Sequence, residues 1–144
     1  MKVKFDFMLN SQRYGVVEQA IFKMVLRGID SAQGISELLW LFSDDVKAVA
    51  LQKLVNSQVL RADLSSNRLF LSDGILSIIS ICHDRTFEIK LPDILLSQMS
   101  NGQLLMDNPQ VTASILGHIL PDVSIDFLRS VLFFSITEVG CSHE

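Results

Sequence analysis

The chain has 144 residues, of which 49% are hydrophobic and 19% are charged, so it can form one core, or a small domain with an elaborated extension. Its mean hydropathy of +0.36 indicates either an unusually large core or apolar surface that a partner covers, and we expect the second. The net charge of −4 divides into +2 over residues 1–72 (nine Lys and Arg, seven Asp and Glu) and −6 over residues 73–144 (three and nine), so only the first part suits a polyanionic partner.

The chain begins with a strand pattern and continues with a helix pattern. Val3, Phe5 and Phe7 alternate with polar residues, which predicts a half-buried strand. Apolar residues then recur at helical spacing, and Gly28 marks the end of this predicted helix of about three turns. The apolar stripe of the helix is Val16, Val17, Ala20, Ile21, Met24 and Val25.

Two further helices are predicted, separated by a turn of about three residues, which is the spacing of a helix-turn-helix. Asp30 or Ser31 caps the second helix, and Ser43 caps the third. Asp44 and Asp45 follow this cap, at the positive end of the helix dipole. The residues expected to face inward are Ile35, Leu38 and Leu39 in the second helix, and Val46, Val49, Ala50, Leu54 and Val55 in the third.

A β-hairpin is predicted directly behind the third helix. Val59 and Leu60 form its first strand, residues 62–67 are rich in turn formers, and residues 68–72 return as the second strand. Each of these patterns is short, but their order and lengths agree with one another. This agreement across levels predicts that residues 16–72 fold as one module.

In this order of elements, residues 16–72 resemble the winged-helix superfamily over about 57 of the 144 residues. The resemblance implies an α+β protein, with a winged helix-turn-helix domain at residues 1–72 that includes the N-terminal strand. A small mixed α/β segment for association or docking follows at residues 73–144. Winged helices read DNA, read RNA or dock proteins, so the fold implies no single function. The runs that carry the resemblance are Gly34-Ile35-Ser36-Glu37-Leu38-Leu39, Ser43-Asp44-Asp45-Val46, Leu51, Leu54-Val55 and Val59-Leu60-Arg61-Ala62-Asp63.

The second half of the chain carries weaker patterns of both kinds. The apolar residues 75–82 suit either a strand or a buried helix, and residues 131–136 predict a buried strand. Residues 86–91 alternate and predict another strand. The remaining predictions are a helix capped by Asp93 that runs through Met99 and ends at Asn101-Gly102, a helix from Pro109 to Pro121, and one or two helical turns over residues 122–128.

The third helix and the hairpin carry the candidate nucleic-acid contacts. In DNA-binding winged helices the third helix enters the major groove and the wing contacts the backbone or the minor groove. Amides there can read base edges, and cations can meet phosphates. Asp44 and Asp45 oppose this contact, so we expect one copy to bind weakly and a dimer to compensate. The candidate residues are Lys47, Gln52, Lys53, Asn56, Arg61 and Arg68.

These observations predict a non-enzymatic winged-helix protein that binds double-stranded DNA in transcription regulation, as a homodimer or within a larger assembly. The alternative is an architectural subunit that uses the winged helix for protein docking without nucleic acid. The high hydropathy and the acidic second half of the chain favour this alternative.

No catalytic residue, cofactor or metal site is expected. Zinc accepts cysteine and histidine ligands, but the spacing of the two cysteine–histidine pairs is wrong for a zinc finger. Residues 82–84 have the residue types of a cysteine-nucleophile triad, but the members of a triad must converge in space, and sequential neighbours rarely do. The residues weighed for these roles are Cys82, His83, Asp84, Cys141 and His143, together with His118, which has no visible partner, and Asp122 and Asp126, which suit a solvated face.

A cytoplasmic protein without membrane contact is expected. A helix needs about 20 mostly apolar residues to cross a bilayer. Residues 75–82 are too few, and residues 123–141 are interrupted by Asp126, Arg129 and Glu138. The N-terminal residues are too polar for a signal peptide. The chain has only two cysteines, which suits free thiols rather than a secreted disulfide framework.

Overall fold

The computed structural model describes residues 1–83, 85–106, 114–117 and 130–139 and shows a mixed α+β protein. The chain forms two compact units, which we call the helical unit (Met8–Leu76) and the sheet unit (Met1–Phe7 with Ser77–Glu144). In chain order the elements are β1 (Lys2–Leu9), α1 (Val16–Leu26), α2 (Ala32–Leu38), α3 (Asp44–Asn56), β2 (Leu60–Asp63), β3 (Arg68–Leu71), α4 (Asp73–Cys82), β4 (Phe87–Glu88), α5 (Asp93–Leu96), β5 (Gln103–Met106) and β6 (Leu132–Glu138).

Helix α1 supplies the centre of the helical unit. Its buried side chains are Val17, Ile21, Phe22 and Val25, whereas Val16, which the pattern assigned to the buried stripe, is exposed. Val16 is the first helical residue, and because helical side chains point back toward the N-terminus, its side chain extends beyond the first turn of the helix. Gly28 has a φ of +89°, a left-handed conformation that suits glycine just past the end of a helix, as predicted.

Helices α2 and α3 both begin at serine caps. The Ser31 hydroxyl accepts from the Gly34 amide at 3.0 Å, and the Ser43 hydroxyl accepts from the Val46 amide at 3.3 Å. These bonds satisfy amide groups that have no partner within the helix. Both predicted caps are therefore confirmed, with Ser31 rather than Asp30 as the cap of α2.

The inward faces of α2 and α3 are narrower than predicted. Ile35 and Leu39 of the α2 region and Ala50 and Leu54 of α3 are buried. The prediction that Leu38, Val46 and Val49 also face inward was wrong, because all three are exposed. The apolar positions of α3 extend over more than one face of the helix, and the described elements that pack on α3 do not cover all of them.

The predicted hairpin is present as β2 and β3, which pair in antiparallel register from Leu60↔Leu71 to Asp63↔Arg68. The Asp30 carbonyl accepts from the Leu69 amide at 2.7 Å, so the segment before α2 continues this small sheet. Directly opposed residues share a face of a sheet, and successive residues alternate between faces. One face therefore carries the buried residues Leu60 and Leu69, and the other carries Arg61, Asp63, Arg68 and Phe70.

The sheet unit is built on four strands in the order β4-β1-β6-β5. β1 pairs antiparallel with β4, and β5 pairs antiparallel with β6. Aromatic rings pack edge to face on this sheet, with centroids 5.5 Å apart for Phe5 and Phe87 and 5.1 Å apart for Phe7 and Phe134. The predicted N-terminal strand thus joins this sheet, whereas the predicted domain boundary counted it with residues 1–72.

Several predictions for the second half of the chain are corrected. Residues 75–82 are helical, which was one of the two structures that their pattern allowed. The predicted strand at residues 86–91 is only Phe87–Glu88. Helix α5 ends at Leu96 rather than Met99, and Pro92, not Asp93, occupies its N-cap position without a side-chain hydrogen bond. Strand β5 was not predicted, whereas the buried strand predicted at residues 131–136 is confirmed by β6.

Two predictions fall on residues that the structure does not describe. The helix predicted from Pro109 to Pro121 lies outside the described residues except for 114–117, which are helical. The helical turns predicted over residues 122–128 lie wholly outside them.

Candidate functional site: the outer face of the third helix

Helix α3 turns one face toward α1 and the opposite face toward solvent. Ala50 and Leu54 mark the buried face. Because an α-helix repeats every 3.6 residues, the positions on the far side of the helix form a continuous outer face. From the start of the helix to its end, this face carries Asp45, Val49, Gln52 and Asn56, with Val46 and Lys53 at its border with the buried face, and all six residues are exposed.

Large apolar side chains are concentrated at the first half of this face and in the turn before it. Trp40 and Leu41 lie in the turn between α2 and α3 and are 74% and 75% exposed. Single exposed apolar residues are common in soluble proteins, but a cluster usually marks an interaction site. Five such residues fall within positions 38–49, and we call them the apolar corner: Leu38, Trp40, Leu41, Val46 and Val49.

Carboxylates flank the apolar corner, and we call them the acidic rim: Glu37, Asp44 and Asp45. All three residues are exposed, and the Asp44 side chain is 98% exposed. The only cation between positions 37 and 49 is Lys47, whose side chain is 14% exposed. The exposed charge around the apolar corner is therefore negative.

Lys47 connects α2 to α3 instead of facing solvent as predicted. Its ammonium donates to the Ser36 hydroxyl at 2.9 Å and to the Ser36 carbonyl at 3.2 Å. It also lies 3.3 Å from a carboxylate oxygen of Asp44. An ammonium has three N–H donors, and these three contacts occupy them. Lys47 therefore links the two helices.

Lys53 is held in a similar way at the other end of the outer face. Its ammonium lies 3.3 Å from a carboxylate oxygen of Glu18 and 5.1 Å from the centroid of the Tyr14 ring. It also donates to the Arg13 carbonyl. These contacts fix the segment before α1 against the end of α3, and the carboxylate of Glu18 offsets the positive charge of Lys53.

Three of the predicted nucleic-acid contacts do come together. Gln52, Lys53 and Asn56 border one open depression of about 520 Å³, with Arg13 at its edge. The Gln52 amide donates to the Asn56 side-chain carbonyl at 2.8 Å. The buried Tyr14 hydroxyl beside this depression has no hydrogen-bond partner among the described residues. Val49 and Tyr14 also line the depression, so its surface is more apolar than polar, and its charged side chains are those of Arg13 and Lys53.

The two predicted hairpin contacts lie on the exposed face of β2 and β3. The Arg61 guanidinium lies 5.3 Å from the centroid of the Phe70 ring. Arg68 lies 3.9 Å from a carboxylate oxygen of Asp30, and Asp63 occupies the position opposite Arg68. Each arginine thus has an intramolecular contact, and acidic groups lie beside Arg68.

The residues weighed for catalysis or metal binding form no site in the part of the chain that the structure describes. Cys82 is buried, and burial raises the pKa of its thiol to about 11, which disfavours the nucleophilic thiolate. No group of three or more His, Cys, Asp or Glu that could hold a metal occurs among the described residues. Asp84, His118, Asp122, Asp126, Cys141 and His143 lie outside them.

The apolar corner is the feature that the sequence patterns did not identify. Leu38, Val46 and Val49 were assigned to the core, and Trp40 and Leu41 received no role of their own. One signal was present in the sequence: the apolar positions of α3 cover a wider arc than one packing face needs. Within residues 1–83, 85–106, 114–117 and 130–139, no helix has the length and apolarity that crossing a membrane requires.

No protein-family model, no curated protein and no solved structure matches this chain, so the role of the surface has to be inferred from its geometry and charge.

Proposed function

We propose that the helical unit is a winged helix that serves as a protein-docking module, and that the protein acts without catalysis as a subunit of a larger assembly. The order of three helices and an antiparallel hairpin supports the winged-helix assignment. The bridge between Ser31 and Arg68 supports it further, because it pairs the segment before α2 with the edge of the hairpin. The single observation that carries the docking role is the apolar corner.

The apolar corner can contribute a large share of the free energy of an interface. Full burial of a valine or leucine side chain stabilises a complex by about 1.5–3 kcal/mol. Trp40 adds a large ring with a polar edge, the residue type most enriched among interface hot spots. Together these side chains can contribute about 5–8 kcal/mol, scaled to their exposed fractions. Such a contribution offsets a large part of the cost of association, about 4–15 kcal/mol.

Double-stranded DNA is the second candidate partner, and one observation favours it. Gln52, Lys53 and Asn56 lie together, as a base-reading face requires. The electrostatics favour it less, because binding to DNA depends on cations that displace counterions. The helical unit carries seven Lys and Arg and seven Asp and Glu, and therefore no net charge. Lys47 and Lys53 are moreover engaged within the protein.

Site-specific photocrosslinking in the cells that express the protein distinguishes the two candidates. A photoreactive amino acid replaces Leu41 or Val49 in the apolar corner, Gln52 or Arg68 on the candidate DNA surface, or Leu64 as the control. Leu64 is 94% exposed in the hairpin turn, so it is the same residue type as Leu41 and is even more open to solvent. We expect protein adducts from positions 41 and 49, and none above background from position 64.

Nuclease treatment identifies the nature of each adduct. Adducts at positions 52 and 68 that lose mass on nuclease digestion, with none at positions 41 and 49, would establish the DNA candidate and exclude the docking module. Protein adducts of equal yield at positions 41 and 64 would show nonspecific capture and would also contradict the docking role.

A further inference from the structure

We propose that the docking surface takes a basic amphipathic helix of a partner protein, with apolar side chains on the apolar corner and lysines or arginines on the acidic rim. This inference rests on the proposed docking function and specifies its ligand. It is carried by the exposed apolar and exposed carboxylate side chains that occur together in one short segment, residues 37–49.

The apolar part of the surface has the shape that another helix fits. Val46 and Val49 are three residues apart on α3, so their side chains form a ridge along one side of the helix. Helices pack by placing such ridges into the grooves between the side chains of a second helix. Trp40 and Leu41 extend the apolar surface into the turn before α3. A partner helix that crosses this ridge would present apolar residues at spacings of i, i+3, i+4 and i+7.

The charged part of the surface determines the sign of the charge that the partner should carry. Glu37, Asp44 and Asp45 are exposed, and their segment holds one cation, Lys47, which is bound to Ser36 and Asp44. An acidic partner would meet three carboxylates there, whereas a basic partner would meet charges of opposite sign. Complementary charge at the edge of an interface accelerates association and suppresses wrong partners.

The opposite end of the outer face is consistent with this orientation. Lys53 is compensated by Glu18, and Gln52 and Asn56 are neutral amides. Arg13 at the edge of the depression adds a positive charge, so this end does not attract the basic residues of a partner. The basic residues of the partner should therefore lie over the start of α3, and its polar residues should lie toward the end of α3. The asymmetry gives the partner helix a preferred direction.

The chain offers its own probe, because Trp40 is its single tryptophan and lies in the apolar corner. Two synthetic peptides of about five helical turns, without aromatic residues, carry leucine at i, i+3, i+4 and i+7. One has lysine and arginine at the remaining positions and the other has glutamate. We expect the basic peptide to shift the emission of Trp40 to shorter wavelength, since a covering helix removes water from the indole, and we expect no shift with the acidic peptide.

Three variants separate the contributions of charge and apolar contact. Asp44→Asn with Asp45→Asn should weaken binding of the basic peptide about three- to ten-fold at low salt, which is the range expected for the loss of two exposed ion pairs. The matched control is Asp6→Asn with Asp63→Asn, which removes two exposed carboxylates elsewhere and should change the affinity less than two-fold. Leu41→Ser with Val49→Ser keeps every charge and should abolish the shift.

Each contrary result has its own meaning. Equal binding of both peptides would overturn the assignment of charge and leave the docking function standing. No shift with either peptide, while photocrosslinks still form at positions 41 and 49, would overturn the helical ligand alone. A dimeric mass in light scattering, with Trp40 shielded from a soluble quencher, would identify a second copy of this chain as the occupant and overturn the proposal.

Discussion

The exposure of α3 can be tested by making the same substitution at two valines in opposite environments. Val49 is 70% exposed on the outer face of α3, and Val59 is 0% exposed, just before β2. Valine to alanine removes two carbon atoms in both cases, so the two variants differ in what surrounds the side chain and in the helix propensity that applies only to Val49. The comparison therefore tests whether Val49 lies on an exposed side of α3, with Val59 as the buried reference.

The expected magnitudes follow from burial. At Val59 the lost transfer free energy is about 1.6 kcal/mol, and the cavity left behind raises the loss to about 2–3 kcal/mol. At Val49 less than one third of the side chain is covered, so the transfer loss is about 0.5 kcal/mol. Alanine is also the better helix former by about 0.5 kcal/mol, so the net change at Val49 is about zero.

Urea denaturation followed by far-ultraviolet circular dichroism measures both variants. With a denaturant dependence of about 2 kcal/mol per molar, Val59→Ala should lower the midpoint by about 1 M, and Val49→Ala should leave it unchanged. A loss above 1 kcal/mol at Val49 would place this residue in the core and remove the basis for the apolar corner. An unchanged midpoint for Val59→Ala would show that the hairpin does not pack behind α3.

Three further predictions concern the cap, the turn and the thiol. Ser43→Ala removes the acceptor of the Val46 amide and should lower the free energy of unfolding by about 1 kcal/mol in the same urea assay, and no change would contradict the cap. In Gly28→Ala the new Cβ meets no atom within 4 Å. The loss of about 1 kcal/mol in the free energy of unfolding that we expect in thermal denaturation therefore comes from the left-handed backbone alone, and a neutral result would contradict that conformation. Because burial raises the pKa of Cys82 to about 11, the thiol of a Cys141→Ser variant should react with iodoacetamide at pH 8 much more slowly in the folded than in the unfolded protein, and similar rates would refute its burial. A raised pKa also means that the contribution of this thiol to stability is fully present below pH 9, where the unfolded thiol is neutral, and is lost as the pH rises through about 11, which urea titrations across this range would show.

The proposed role changes how the predicted contact residues are interpreted. Lys47 and Lys53 were selected because lysines on a third helix can meet phosphates. In the structure Lys47 links α2 to α3, and Lys53 links the segment before α1 to α3. Substituting either lysine would disturb the packing of the helical unit, so a loss of DNA binding in such variants would not by itself identify a DNA contact. The exposed positions Gln52 and Arg68 are better probes of that candidate.

The sequence by itself determined the local elements of the helical unit. The serine caps, the glycine after α1 and the turn residues between β2 and β3 act within a few residues of their position in the chain, so their effect can be predicted from neighbouring residues alone. The third helix and the hairpin behind it were predicted on this basis, and both are present. The continuous apolar run at residues 131–136 also identified β6, because such a run can be read from the sequence without knowing which strand pairs with it.

Only the tertiary structure decided which apolar residues are covered and which strands pair. Val46 and Val49 are exposed, although other valines of the chain are buried. They are exposed because, among the described residues, no element packs on that side of α3. The placement of β1 beside β6 joins residues more than 100 positions apart, a pairing that the pattern of β1 does not encode. Burial is a property of two surfaces that meet, and a periodic pattern in the sequence describes only one of them.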